Sequence, residues 1–66
     1  MDTVMNEVGM LQDLYNDLVR NGKLTKTAMC NLIIPFRDKY GLSDLQAIMI
    51  ARNEISISEM SALLNK

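Results

Sequence analysis

Histidine and tryptophan are missing from this 66-residue sequence, and cysteine occurs once. Without histidine, imidazole acid–base pairs, serine-type triads and most zinc sites cannot be assembled from a single chain. The lone Cys30 has no partner within the chain, which excludes a disulfide framework and points to a reducing compartment. Long hydrophobic runs are also lacking. The longest, Ala47 to Ala51, is far short of the roughly 20 residues that a membrane span needs. Asp2 and Glu7 stand where a signal peptide would carry basic residues, so a soluble cytoplasmic protein is expected. Charge of one sign is lacking as well: seven basic against eight acidic residues leave −1, too little imbalance for bulk attraction to nucleic acid.

What is present is a succession of four helix-sized segments, each with its own start signal. In the first, Val4, Val8, Leu11, Leu14, Tyr15 and Leu18 recur at spacings of three and four, on one side of a helix over about residues 3–20. Asp2 or Thr3 caps its start, and Asn21-Gly22 closes it. The second segment opens at Thr25 as N-cap, with Leu24 and Met29 spaced for a hydrophobic staple. Its stripe of Ala28, Met29, Leu32, Ile33, Phe36 and Tyr40 ends at Gly41. Pro35 interrupts that stripe and removes the hydrogen bond to the Asn31 carbonyl. Because Phe36 and Tyr40 keep the phase, a helix over 26–40 kinked at Pro35 is expected rather than a break.

Ser43 and Gln46 form a capping box for a third helix over 44–53. It is apolar nearly all round, and is expected to be the most buried element. Ser56 with Glu59, and Ile55 with Met60, open a fourth helix over 57–65 whose apolar side is Ile57, Met60, Leu63 and Leu64. A helix that short has no independent stability in water and must dock. The connections are brief, so successive helices are neighbours. The expected fold is all-α: a compact bundle of about four short helices in a single helical domain, residues 1–66.

A domain of this size is marginally stable alone, and 48% hydrophobic residues favour a second chain, so a homodimer is expected. Met5, Met10 and Val19 widen the first stripe beyond what one short neighbour covers. With Ile57, Met60 and Leu64 of the last helix they are the candidate protein interface. Six methionines fit that use, since their flexible side chains adapt to a partner's shape, while Met29 and Met49 are assigned to the core. Cys30, one position off its stripe and beside Ile34, reads as a structural, partly buried thiol.

Charge is segregated along the chain. Residues 1–20 carry Asp2, Glu7, Asp13 and Asp17 against Arg20, whereas residues 21–41 carry Lys23, Lys26, Arg37 and Lys39 against Asp38. The first two helices are therefore expected to be neighbours with complementary solvated faces. The other use of Lys23, Lys26, Arg37 and Lys39 is contact with phosphates. Residues 43–65 also have a helix-turn-helix outline, yet the second helix would offer bases only Ser58, Glu59, Ser61, Ala62 and Asn65, with Lys66 for phosphate. Nucleic acid is the less favoured partner. The carboxylates show no pairing suited to acid–base work, and no catalytic residue, cofactor site or metal ligand is expected.

The stretch Ile48-Met49-Ile50-Ala51-Arg52-Asn53-Glu54-Ile55-Ser56-Ile57-Ser58-Glu59-Met60 resembles the helical hook by which small Sin-type antirepressors pair with their repressors. It has the apolar helix, the turn with Ile-Ser and the acidic residue starting a second short helix. It covers under a third of the chain, and the family's tryptophan has no counterpart here. The resemblance implies a hairpin that binds protein. The expected function is that of a non-catalytic regulatory protein acting by protein–protein binding, of the inhibitor or antirepressor type carried by phages and mobile elements. The alternative is a helix-turn-helix-like DNA-binding transcriptional regulator.

Overall fold

The computed structural model describes residues 3–65, which form four helices: α1 (Thr3–Arg20), α2 (Lys26–Tyr40), α3 (Asp44–Ala51) and α4 (Ile57–Leu64). No strand occurs among the described residues, and the all-α bundle expected from the periodicity is what forms. The predicted cap at Asp2 lies outside the described residues.

Three of the helix ends are written in local chemistry. The Thr25 side chain accepts from the Ala28 amide at 3.0 Å, and that of Ser43 accepts from the Gln46 amide at 3.1 Å while the Gln46 carboxamide accepts from the Ser43 amide at 2.9 Å. Ser56 accepts from the Glu59 amide at 3.2 Å. These bonds satisfy amides that the first turn leaves unpaired. At the other ends the chain turns through left-handed residues: Gly22 (φ 66°), Gly41 (φ 64°) and Asn53 (φ 56°). After α1, Lys23 donates to the Leu18 carbonyl and Gly22 to that of Val19; after α3, Glu54 donates to Met49 and Asn53 to Ile50. Both are the paired reversals of a Schellman motif. This is why α3 stops at Ala51, two residues short of the expected end.

As the phase of Phe36 and Tyr40 implies, the second helix continues through Pro35, from Lys26 to Tyr40. Pro35 and Asn31 are both exposed, so water can satisfy the carbonyl that the ring leaves without a partner.

The core is small. Val8 and Leu11 of α1, Ile33 and Phe36 of α2, Leu42 of the connection, Ala47, Ile50 and Ala51 of α3, and Met60 of α4 are buried, with Ile33 and Ile50 the largest side chains fully enclosed. α3 packs against both α1 and α2, and the small Ala47 and Ala51, one turn apart, allow a close approach. Gln12 donates across to the Ile50 carbonyl at 3.1 Å, tying α1 to the end of α3. α4 is attached most lightly. Met60 is its one buried side chain, supported by partly buried Ile55, Leu63 and Leu64.

Three expected burials are overturned: Leu14 and Leu45 are exposed, and so is Cys30, while the interface candidate Ile57 is exposed too. Leu14 sits on the shoulder of α1 rather than on its buried line of Val8 and Leu11. Leu45 lies two residues from Ala47, on the side of α3 opposite the core. Ile57 is the first residue of α4, where no neighbour covers it. Cys30 shares its side of α2 with Ile34, which is also exposed, so the thiol has no roof.

Candidate interaction surface

α1 and α2 lie side by side with opposite charge, as the segregated sequence implies, but only one ion pair crosses between them among the described residues. Lys39 donates to Glu7 Oε1, and Tyr40 Oη donates to Glu7 Oε2 at 2.9 Å. The Lys39 ammonium, then the Tyr40 hydroxyl, hold the Glu7 carboxyl below the usual carboxylate range, and Glu7 in turn raises Lys39 above the usual lysine value. Arg37 is clamped by Asp44 at 2.6 Å and Asp38 at 3.0 Å, which raises it in the same way and links α2 to the start of α3. Arg20 bonds Asp17 at 2.6 Å.

Beyond the Glu7–Lys39 pair a groove runs along the α1–α2 seam. Two adjoining cavities of about 290 and 440 Å³ share Leu14 and Leu32. The first is lined also by Met10, Leu11, Pro35 and Phe36, the second by Leu18, Ala28, Asn21, Asn31 and Asp17. Met10 is 64% exposed and Leu14 51%, so the rim on the α1 side is apolar and open. From Glu7 to Leu18 the groove follows α1 for about 16 Å at 1.5 Å per residue, and it closes beside Asn21 in the turn after the helix.

No protein-family model matches this chain, and no curated protein or solved structure matches it.

The six residues of the expected interface do not share one face. Nine residues separate Met10 from Val19, which is half a turn of rotation at about 100° per residue, and Met5 stands about 140° from Met10. Met5, Met10 and Val19 are all exposed, but only Met10 borders the groove. On α4, Ile57 is 74% exposed and Leu64 partly buried against the core. Met60, at 6%, belongs to the core and offers nothing to a partner while α4 is docked. Sequence reasoning passed over Leu14, Leu32 and Pro35. The signal was there in the spacing: Met10 and Leu14 at i and i+4 on α1, Leu32 and Pro35 at i and i+3 on α2 form two apolar edges of one seam.

The four basic residues considered for phosphate contact are likewise divided. Lys23 and Lys26 have no ion pair among the described residues, whereas Arg37 and Lys39 are held by carboxylates. Lys26 and Lys39 stand about 20 Å apart along α2. Lys26 instead lines a third cavity, of about 370 Å³, with Arg52, Tyr15, Leu24, Met29 and Ile48. The outer face of α4 consists of Ser58, Glu59, Ser61, Ala62 and Asn65, all exposed. No group of three His, Cys, Asp or Glu side chains able to hold a metal ion occurs among the described residues, and no helix there is long and apolar enough to cross a membrane.

Proposed function

We propose that this chain is a non-catalytic regulatory protein of the cytoplasm that acts by binding another protein, in the manner of an inhibitor or antirepressor. The observation that carries the reading is the open apolar seam between α1 and α2, where Met10 and Leu14 stand exposed beside Leu32 and Pro35. A folded chain with so small a core gains little by leaving such side chains in water unless something covers them. Self-association is the companion proposal. Leu45 and Ile57 lie outside the seam and give a second copy its own apolar contact, and the α3–α4 hairpin that carries Ile57 is the part resembling an antirepressor hook.

The DNA-binding alternative draws less support, because two of its four cations are already engaged by carboxylates and α4 turns Glu59 outward. The test is a pull-down from native extract with and without nuclease, using the wild type and Leu14→Asp as baits. A stoichiometric protein that survives nuclease and is lost with Leu14→Asp is the expected result. Nucleic acid as the main co-purifying species, released steeply as salt rises, would replace the reading with the alternative.

A further inference from the structure

We propose that two copies of this chain exchange α4, each inserting Met60 into the core of the other. The exchange rests on the self-association reading above and names the segment through which it works.

The fold itself selects the occupant. Met60 closes a core built by α1, α2, α3 and Leu42, so the berth it fills is shaped for α4, whether from the same chain or from a second one. Among the described residues no hydrogen bond or ion pair joins α4 to the other helices, which leaves packing alone to hold it. Those contacts are the same whichever copy donates them.

The hinge sets how α4 leaves. Residues 52–56 reverse the chain with Asn53 at φ 56°, a left-handed conformation that costs any residue with a Cβ more than it costs glycine. Neither glycine nor proline occurs after Gly41, so once Asn53 takes a helical φ, α3 can run on into α4. The bonds from Asn53 to Ile50 and from Glu54 to Met49 then give way to helical ones, from Asn53 to Met49 and from Glu54 to Ile50. The straight helix from Asp44 to Leu64 is about 30 Å long, close to the 33 Å length of the whole molecule, and α4 at its far end cannot fold back on its own core. The berth within its reach is that of a second copy.

The sequence of the straightened helix suits this use. Ile50, Asn53, Ile57, Met60 and Leu64 follow at intervals of three and four, a single stripe in which Asn53 is the one polar member. The reversal at Asn53 breaks the stripe and leaves Ile57 74% exposed, the most exposed of the large hydrophobic side chains among the described residues. Straightening returns Ile57 to the line of Ile50, beyond the edge of its own core, where the second copy covers it.

The experiment is sedimentation velocity of the full chain, Asn53→Gly, Asn53→Ala and Ile57→Asp over a concentration series, with circular dichroism as the check on folding. Glycine favours the left-handed turn over the continuous helix and alanine does the reverse, and each dimer contains two hinges. The expected result is a wild-type dimer whose dissociation constant is about tenfold weaker in Asn53→Gly and about tenfold tighter in Asn53→Ala. Ile57→Asp should weaken it as well, while its monomer keeps native helicity. A dimer indifferent to both Asn53 variants, whether or not Ile57→Asp weakens it, would be a contact between closed chains; it would overturn the exchange and leave self-association standing. A monomer at every concentration in both the wild type and Asn53→Ala would overturn both.

Discussion

Met60 and Ile57 are three residues apart on one short helix, and truncating each to alanine should have opposite consequences. Met60 is 6% exposed and anchors α4 to a core contributed by the other three helices, whereas Ile57 is 74% exposed. Truncating a buried methionine costs about 2–5 kcal/mol, counting both the lost transfer energy and the cavity. A domain of this size has only about 3–5 kcal/mol in all. α4 has no other fully buried side chain and eight residues, too few to be helical in isolation. Its undocking is therefore easier than loss of the core, which keeps Val8, Leu11, Ile33, Phe36, Ala47, Ile50 and Ala51. Met60→Ala should lose the helical signal of α4. That is eight residues against eighteen, fifteen and eight in the others, about a sixth of the far-ultraviolet ellipticity. Fast hydrogen exchange should appear at the amides of α4 and not at those of α2. Ile57→Ala should change stability by no more than about 0.5 kcal/mol. Equal costs for the two variants, or unchanged protection of α4 in Met60→Ala, would refute the assignment of Met60 to the core.

Further outcomes follow from individual residues. Asn53 holds a left-handed conformation at the end of α3, so Asn53→Gly should stabilise the fold by about 0.5 kcal/mol and raise Tm by roughly 2–4 °C, whereas Asn53→Ala should lower it. Glu7 has its carboxyl lowered in the folded state by Lys39 and Tyr40. Its contribution is therefore complete above the ordinary carboxylate range and is lost as pH falls through the lowered folded value. Thermal melts of wild type and Glu7→Gln should accordingly differ by a constant amount near neutrality and converge in acid; a gap that widens as pH falls would contradict the pairing. Cys30 is exposed on α2, and a thiol reagent should label it fully in the native protein, at a rate close to that of the denatured chain.

Much of this fold could be read from the sequence because its signals are local. Thr25, Ser43 and Ser56 act on amides three residues ahead, and Gly22 and Gly41 end helices by their own backbone freedom, so no knowledge of neighbours is needed. Burial is a different matter. Leu14 falls on the same broad stripe as Leu11, and only the position of α2 decides that one is covered and the other left on the rim. Met60 and Ile57 are equivalent in apolar character, and the approach of α4 to the core sorts them. At Pro35 the helix continues, as the phase kept by Phe36 and Tyr40 implied, and the exposed side lets water replace the missing bond. The candidate surface was legible only in part, through Met10, because a groove belongs to two helices at once.

The most direct test of the account is to compare two single charge insertions at exposed leucines on different faces, Leu14→Lys in the groove and Leu45→Lys on α3, for capture of a nuclease-resistant protein partner. Both side chains are more than half exposed, so both variants should fold. The account predicts that Leu14→Lys loses the partner and Leu45→Lys retains it. Retention by Leu14→Lys, or equal loss in both, would contradict the placement of the binding surface at the α1–α2 seam.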